Sequence, residues 1–351
     1  MKNFLILVFS ILLIYVKAAP LMDSSFPNSL EPKGSLDPQT TLTLTIVTGS
    51  LTNTHLVSDY YSSMSQITIY DRTKMHLKMK ATVAQLSLVF NTTFVEYNCH
   101  VINLTHKLCF ANTSDISIPV SLKNAIVGIL GLEQIVSCKP SFVIGQKLST
   151  FSSNAQSVSS FSYFLGSQVA TDYGVPASTG AGINVGIISF GGYFTQSDLN
   201  TYFSNKGLGT APTINIVFID GGTLNFTDTN SALENYLDIE IIASVVPQAT
   251  ITVYFAPNGY TSFYYDNLYA AITQNNIVSS SWSFMESQLI SRLTGFLNSV
   301  QKLLSIYSNV PVFVATGDHG STGGVGFPAS APNSIGKYFH SQLSFYIFKY
   351  F

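Results

Sequence analysis

The feature that most constrains the fold is a regular alternation of apolar runs with amphipathic stretches after about residue 161. The apolar runs, each five to eight residues long, predict strands at 183–190, 214–219, 251–255, 277–281 and 310–316. Helical periodicity predicts helices at 195–205, from Ser231 to the turn at Pro247, at 263–273 and at 287–307. Apolar strands that alternate with helices are typical of a parallel sheet covered on both faces. We therefore predict an α/β domain with its site at the carboxyl ends of the strands.

The residues before this domain predict a smaller unit of mixed structure. The expected elements are strands at 41–47, 94–97 and 108–110 and helices at 51–65, 81–90 and 125–135. A polar stretch rich in Ser, Gln and Asn then separates the two units. The predicted organisation is a signal peptide at 1–19, a small α+β domain at 20–140, a linker at 141–160, the α/β domain at 161–336 and an aromatic tail at 337–351.

The amino terminus has the pattern of a secretory signal. Lys2 precedes an apolar segment of thirteen residues, Phe4 to Val16, and Val16-Lys17-Ala18 supplies small residues for cleavage. Thirteen residues are too few to span a bilayer comfortably, and a single membrane anchor is the alternative interpretation. Sequons begin at Asn91, Asn103, Asn112 and Asn225. We expect a chain that is secreted or delivered to an acidic lumenal compartment, without a stable membrane span.

The composition adds two expectations about partners and medium. Only 10% of the residues are charged and the net charge is −2, which gives no reason to expect a nucleic-acid partner. A surface of neutral polar groups loses little when carboxylates become protonated. The composition therefore suits an acidic medium.

The three cysteines, Cys99, Cys109 and Cys138, all precede residue 140. One pair could close a disulfide in an oxidising compartment and leave one thiol free. We expect Cys99 to pair with either Cys109 or Cys138, and the spacing matches no metal site.

Two carboxylates on the predicted helix after Ser231 are the first candidate functional residues. Glu234 and Asp238 are four residues apart and share one face of a helix. A helix packed on a core makes such a pair costly unless its charge is used or shared. The structural alternatives are a solvated face and, for Glu234, a capping box that starts at Ser231. Glu240 points elsewhere and is expected to be structural.

A glycine-rich loop after the strand at 310–316 holds the other candidates. Asp318 lies between Gly317 and Gly320, where a tight turn is the structural alternative. Ser321 lies in the same loop, but the sequence contains no G-x-S-x-G nucleophile elbow. The histidines have no metal-ligand spacing, and only His319 is near the predicted site. We therefore predict no metal site in this chain.

Several motifs, taken together and in order, resemble the sedolisin–kumamolisin family of serine-carboxyl peptidases, which have a subtilisin-like fold. The matching segments are Ile187–Gly192, Glu234–Glu240, Val246–Ala249, Val253–Pro257, Val278–Trp282, Gly317–Ser321 and Phe327–Pro332. Residues 41–138 also resemble the activation prosegment of the family, most clearly at Ile118-Pro119 and from Ile126 to Leu132. The resemblance covers about 290 residues. It implies that the domain at 20–140 is an activation prosegment and the domain at 161–336 is part of a peptidase.

The resemblance implies a role for each candidate residue. Glu234 would be the base that activates a serine, and Asp238 would orient it and share its proton. Asp318 would donate a hydrogen bond to the oxyanion of the tetrahedral intermediate. Trp282 would lie behind the carboxylate pair. Ser189 departs from the pattern, because some members carry a glutamate at this position. The absence of that glutamate is expected to change the pH optimum more than the reaction.

The resemblance ends at about 333–336, before the part that holds the nucleophile. The family's serine lies in a G-T-S-A-S-x-P motif, followed by a calcium site, and this sequence contains neither. Residues 337–351, with seven aromatics, show no related pattern, and we hypothesise that they are unrelated in origin and that the chain is truncated. Ser321 belongs to the loop of the oxyanion aspartate, so we predict no nucleophile and no bound Ca²⁺ in this chain.

The sequence therefore predicts a precursor of a secreted, acid-acting endopeptidase or tripeptidyl-peptidase that uses a Ser/Glu/Asp triad on protein or peptide substrates. Its own prosegment would be an intramolecular inhibitor, and this chain alone would be inactive. The alternatives are a non-catalytic pseudoenzyme or prosegment-type inhibitor that binds a full peptidase, and an extracellular surface glycoprotein.

Overall fold

The computed structural model describes residues 32–98, 108–135, 138–140, 165–286, 293–317 and 324–337. Its strands are β1 (Pro32–Ser35), β2 (Thr41–Val47), β3 (Thr68–Arg72), β4 (His76–Thr82), β5 (Phe94–Tyr97), β6 (Cys109–Asn112), β7 (Gly128–Leu130), β8 (Lys139–Pro140), β9 (Asn184–Ser189), β10 (Asn215–Phe218), β11 (Thr250–Phe255), β12 (Ile277–Ser280), β13 (Trp282–Met285), β14 (Val312–Ala315), β15 (Gly326–Phe327) and β16 (Ile335–Lys337). Its helices are α1 (Leu51–Ser62), α2 (Val83–Phe90), α3 (Gly166–Asp172), α4 (Gln196–Asn205), α5 (Thr229–Val245), α6 (Thr261–Gln274) and α7 (Thr294–Ile306). A 3-10 turn spans Val120–Leu122.

A six-stranded sheet in the order β10-β11-β9-β12-β14-β16 forms the centre of the second unit. All of its neighbouring strands run parallel. All five predicted strands after residue 161 lie in this sheet, and the predicted helices occupy the connections between them. The α/β class with a parallel sheet is therefore confirmed.

Both faces of the parallel sheet are covered, because successive strand residues point to opposite sides. Val185 and Ile187 of β9 pack with residues of α4 and α5 on one face. Ile188 of the same strand packs with residues of α6 and α7 on the other. This arrangement places the carboxyl end of β9 between α5 and α6.

The first described unit is an antiparallel sheet in the order β3-β4-β2-β7, with α1 and α2 beside it and a second sheet in the order β1-β5-β6. The predictions of β2, α1 and α2 are confirmed. The helix predicted at 125–135 is wrong, because Gly128–Leu130 pairs as β7 with β2. Gly131 follows it with φ at +95°, a conformation that a helix does not accommodate. Strands β3 and β4 have no counterpart in the prediction.

The two units share one apolar core. Val47 and Leu130 of the first unit lie in the same buried cluster as Tyr264, Tyr265 and Val300 of the second. The backbone of Gly128 approaches α7 so closely that an added Cβ would lie 2.4 Å from the carbonyl oxygen of Gly295. The first unit is therefore packed on the α6/α7 face of the parallel sheet.

A buried group of ionisable side chains also crosses this contact, and we call His76, Lys78, Asp220 and Asp266 the interface cluster. Lys78 Nζ lies 3.0 Å from Asp266 Oδ2 and forms a shorter ion pair with Asp220. Thr45 Oγ1 donates to Asp266 Oδ2 at 2.9 Å. His76 Nε2 lies 3.8 Å from Asp266 Oδ1. The cluster therefore joins β2 and β4 to α6 and to the end of β10.

Burial and mutual contact change the protonation of the interface cluster. Burial is the main cause that raises the pKa of Asp220 to about 7, and the negative charge of Asp266 adds to it. Burial and then the positive charge of Lys78 lower the pKa of His76 to about 4. For Lys78, burial disfavours the charge, but the carboxylates of Asp266 and Asp220 outweigh it and raise the pKa above its usual range.

The cysteines resolve one of the alternatives left by the sequence. Cys109 is disulfide-bonded, whereas Cys138 is a free and buried thiol. The alternative in which Cys138 closes the disulfide is therefore wrong.

Several predicted segments lie outside the described residues. They are the signal peptide at 1–19, the linker at 141–160 and the tail at 337–351 apart from Lys337, which ends β16. The predicted domain boundaries stay predictions.

Candidate active site

Helix α5 carries the two candidate carboxylates and begins earlier than the capping-box alternative requires. Asp228 is its N-cap, and the Asp228 side chain accepts a hydrogen bond from the backbone N–H of Ser231 at 3.1 Å. Ser231 is thus already inside the first turn. Glu234 follows in the second turn and is not at the third helical position that a capping box requires. The capping-box explanation of Glu234 is therefore excluded.

Glu234 and Asp238 are buried, with 5% and 4% of their surfaces exposed. This excludes the second alternative, a solvated helix face. Both lie on one continuous helix at the i and i+4 positions, so they share a face. Glu240 is buried as well, at 6% exposure. Burial makes a carboxylate charge expensive, and a buried pair on one face favours a shared or displaced proton.

The turn after β9 is tied to α5 beside Glu234. Ser189 Oγ donates to Asn235 Oδ1 at 2.7 Å, and Asn235 Nδ2 donates to the carbonyl oxygen of Gly191 at 2.9 Å. Both side chains are buried. Ser189, the position where relatives can carry a glutamate, therefore binds the amide of the residue next to Glu234.

Gly192 explains how this turn comes so near to the helix. Its φ is +69°, and a Cβ added to it would lie 2.2 Å from the backbone nitrogen of Ala232. Only glycine fits both the left-handed backbone and the contact. The glycine thus sets the first turn of α5 directly on the carboxyl end of β9.

The junction of β12 and β13 supplies the contact to the second carboxylate. Ser281 Oγ donates to Asp238 Oδ1 at 2.7 Å, across 43 positions of sequence. Trp282 follows at 1% exposure, and its ring meets that of Phe190 edge-on with centroids 5.6 Å apart. Within the described part of the chain the indole Nε1 of Trp282 has no hydrogen-bond partner. Trp282 thus packs in the core, and its neighbour Ser281 makes the polar contact with Asp238.

Helix α6 holds the strand ends from the other face. Asn267 Nδ2 donates to the carbonyl oxygens of Ser189 at 3.1 Å and Tyr254 at 3.0 Å. Both carbonyls lie at the carboxyl ends of their strands, β9 and β11. The side-chain amide of Asn267 therefore holds together the strand ends beside the site. The sequence predicted no role for Asn235, Asn267 and Ser281, although Asn235 and Ser281 lie within the segments that resemble the family.

The structure brings Ser189, Glu234, Asp238 and Trp282 to the same end of the sheet. Asp318 lies outside the described residues, as do His319 and Ser321. Strand β14, which precedes this loop, pairs with β12. Its carboxyl end therefore lies beside that of β12, and the position of Asp318 stays a prediction.

The described residues were also compared with the requirements of a metal ion and of a membrane span. No three His, Cys, Asp or Glu side chains come together among them in a group that could hold a metal. No helix in the described ranges is long and apolar enough to cross a bilayer.

Comparisons with known proteins agree with the class that the fold and the motifs define. The sequence profile described as "Pro-kumamolisin, activation domain" matches residues 52–135. Kumamolisin from Bacillus sp. (strain MN-32) is 31% identical over 232 residues, which are 62% of this chain and 42% of that protein. The chain thus spans about two fifths of the length of this relative. These matches confirm the resemblance to the sedolisin–kumamolisin family of serine-carboxyl peptidases.

A solved structure also matches part of the chain. It is Pseudomonas sedolisin, a serine-carboxyl proteinase, complexed with two molecules of pseudo-iodotyrostatin. The match has 20% sequence identity and a TM-score of 0.42, and it covers 50% of this chain and 54% of the other.

Proposed function

We propose that this chain is part of the precursor of a secreted, acid-acting serine-carboxyl peptidase, with Glu234 as the general base, Asp238 as its partner and Asp318 as the oxyanion donor. The observation that carries the proposal is the burial of Glu234 and Asp238 on one face of α5, at the carboxyl end of the sheet. Burial removes the solvated face as an explanation, and the N-cap at Asp228 removes the capping box.

The proposed reaction is acyl transfer through a serine. Glu234 takes the hydroxyl proton of the serine as the oxygen attacks the carbonyl carbon of the scissile peptide bond. Asp238 shares the proton that Glu234 gains, so the two carboxyls titrate as one unit. Asp318, protonated, donates to the oxyanion. Glu234 then returns the proton to the leaving amine, and water hydrolyses the acyl-enzyme by the reverse use of the same groups.

This reaction favours an acidic medium, because a carboxyl base works best near its own pKa. The serine must come from a G-T-S-A-S-x-P motif, which does not occur in these 351 residues. Substrate preference, and the choice between endopeptidase and tripeptidyl-peptidase, are left open by the proposal. Secretion rests on the signal-like residues 1–19.

The experiment joins residues 1–336 to the segment of kumamolisin that carries its serine motif. We expect this chimera, after exposure to acid, to hydrolyse a casein-like protein near pH 4 and to lose the activity when the motif serine is replaced by alanine. We expect the 351-residue chain to be inactive in the same assay. A cooperatively folded chimera without acid peptidase activity would contradict the proposal, and so would an active 351-residue chain that Ser321→Ala inactivates.

The first unit supports a prosegment that inhibits its own peptidase. Strand β8, just after the profile match, pairs antiparallel with β13, with Pro140 opposite Trp282 and Lys139 opposite Ser283. An extended segment that adds to a strand is a common way to bind a peptide. We propose that residues 138–140 cover the site in the precursor.

The same pairing favours the second candidate function, a prosegment-type inhibitor of another peptidase. The 351-residue chain would then inhibit kumamolisin in acid at a molar ratio near one. Replacing Lys139-Pro140 with two glycines would weaken that inhibition if β8 is the inhibitory strand. Undiminished kumamolisin activity at excess chain would exclude this candidate.

A further inference from the structure

The side chain of Asp238 is held by a residue to which the family resemblance assigned no role. Ser281 Oγ donates to Asp238 Oδ1 at 2.7 Å, and both residues are at least nine-tenths buried. Ser281 is the single residue between β12 and β13. Its hydroxyl thus reaches from the sheet to the helix that carries both carboxylates.

The backbone on either side of Ser281 is held in place. Ser280 Oγ donates to the carbonyl oxygen of Trp282 at 2.8 Å and accepts from the Trp282 backbone N–H at 3.3 Å. Tyr264 Oη donates to the same carbonyl at 3.3 Å. The Trp282 ring is wedged against Phe190. The backbone that carries Ser281 is therefore held in place, which limits where Ser281 Oγ can lie relative to Asp238.

A hydroxyl that donates to a carboxyl binds the ionised form more strongly than the protonated form. Burial acts in the opposite direction, because it disfavours the charge. A buried Asp238 that keeps a proton cannot accept one shared from Glu234. The hydrogen bond from Ser281 to Asp238 Oδ1 therefore favours the ionised carboxyl, whereas burial favours the protonated one.

The other ionisable groups around α5 are few in the described residues. Glu234 lies one turn before Asp238 on the same helix, which also carries the buried Glu240 and the N-cap Asp228. On α4, which packs against α5, Asp198 accepts the hydroxyl of Tyr236. On α3, which also packs against α5, Asp172 is the only charged residue of the helix. Residues 189–192 and 277–285, described in full, contain no charged side chain. The predicted neighbour Asp318 would add its proton from the loop after β14.

We propose that Ser281 is a positioning residue, which fixes the carboxyl of Asp238 toward the sheet and favours its ionised form, so that the pair can take the proton of the serine. This inference rests on the proposed function for its role in catalysis. The effect on the pair itself belongs to the 351-residue chain and needs no active enzyme.

The test is a site-resolved titration of side-chain carboxyls by ¹³C NMR in the 351-residue chain, with Glu234→Gln and Asp238→Asn used to assign the pair. We expect Ser281→Ala to raise the lower apparent pKa of the pair by about one unit, since one hydrogen bond to a charged group is lost. Ser281→Thr keeps the hydroxyl and should restore the original value. Ser281→Cys, a weaker donor, should fall between them.

Ser280→Ala is the matched control, because it removes a buried hydroxyl next along the chain that binds the backbone of Trp282 instead of Asp238. We expect it to leave the apparent pKa values of the pair unchanged. Equal shifts in Ser280→Ala and Ser281→Ala, or no order among the alanine, cysteine and threonine variants, would overturn the inference. Should Ser281→Ala fail to fold, the order of Ser281→Cys relative to Ser281→Thr decides the same question.

This titration separates the inference from the proposed function. A shift in Ser281→Ala supports the positioning role even if no chimera ever shows peptidase activity. Conversely, an active chimera whose Ser281→Ala variant titrates like the parent would keep the proposed function and overturn the role of Ser281.

Discussion

Two regions of the molecule bury carboxyl groups, and they hold them by different means. In the interface cluster, Asp220 and Asp266 both contact the ammonium of Lys78. On α5, Asp238 accepts a hydrogen bond from the neutral hydroxyl of Ser281. The hydroxyl of Ser189 donates to the side-chain amide oxygen of Asn235, the residue after Glu234. In the first region a cation between two carboxyls holds two parts of the chain together. In the second region a hydroxyl contacts one carboxyl and helps to fix its position.

The difference suggests how the fold separates structure from chemistry. In the interface cluster the ammonium of Lys78 lowers the pKa of Asp220, but burial and the charge of Asp266 outweigh it and raise that pKa to about 7. On α5, a hydroxyl that donates to Asp238 favours the ionised form of that carboxyl without supplying a positive charge. We therefore expect large stability effects from substitutions in the interface cluster and large activity effects from substitutions on α5.

The largest effect on stability is expected from Lys78→Met. Removing one partner of a buried ion pair leaves the other charge uncompensated, at a cost of about 3–5 kcal/mol. Urea unfolding at pH 7 measures the change. Lys80→Met is the matched control, since Lys80 is exposed and lies over the ring of Tyr70. Equal stabilities for the two variants would mean that Lys78 does not hold the units together.

His76 predicts a stability that falls in acid. Its pKa is about 4 in the folded protein and 6.5 as the reference value, so the unfolded chain binds the extra proton between these pH values. Stability then rises with pH across this window and is lost as the pH falls. We expect the unfolding free energy of the wild type, relative to His76→Gln, to drop by about 2–3 kcal/mol from pH 6.5 to pH 4.

Asp220 acts with the opposite sign, and the comparison with His76→Gln removes it. Its folded pKa of about 7 lies above the ordinary value, so the folded state binds the extra proton and gains stability as the pH falls toward 4. This contribution is common to the wild type and His76→Gln. A constant difference between the two proteins from pH 6.5 to pH 4 would contradict the assignment of His76.

Gly192→Ala tests the contact that seats α5 on the sheet. A Cβ there meets the backbone of Ala232 at 2.2 Å, whereas one at Gly209, whose φ of +85° is equally unfavourable, meets nothing within 4 Å. We expect Gly192→Ala to destabilise the chain by about 2 kcal/mol more than Gly209→Ala, because only the first overpacks the fold. Thermal unfolding of both variants measures the difference, and equal costs would refute the close approach.

The smallest effect concerns the start of α5. Asp228→Ala removes the N-cap and should cost about 1 kcal/mol. Ser231→Ala should cost less than half of that, because its backbone N–H, rather than its side chain, takes part in the cap. Urea midpoints in the same buffer compare the two. The reverse order would restore the capping-box explanation of Glu234.

The parallel sheet could be predicted from the sequence because its strands are continuous apolar runs. In the antiparallel sheet β3-β4-β2-β7 only β2 was predicted, and β4 shows why the other strands were not. Its sequence HLKMKAT contains two lysines, and Lys78 is buried because Asp220 and Asp266, far along the chain, compensate its charge. At 125–135 the apolar pattern predicted a helix, but residues 128–130 form β7 because they pair with β2.

The candidate site shows the same division. Glu234, Asp238 and Trp282 lie in motifs, so the sequence indicated them. Asn235 and Ser281 lie in the same motifs but, like Asn267, act through contacts between distant segments, which common polar residue types do not reveal. Residues that bear the chemistry were therefore predictable, and those that hold them in place required the structure.

The measurement that tests the central claim most directly is the acid peptidase activity of Glu234→Gln in the serine-bearing chimera. We predict a fall in kcat/KM of about 10²–10⁴-fold, as expected for loss of a general base, with unfolding still cooperative. Glu240→Gln, which changes another buried carboxyl of the same helix, should retain activity within about threefold, because Glu240 is not the proposed base. Activity in Glu234→Gln close to that of the parent chimera would contradict the account, and so would an equal loss in both variants.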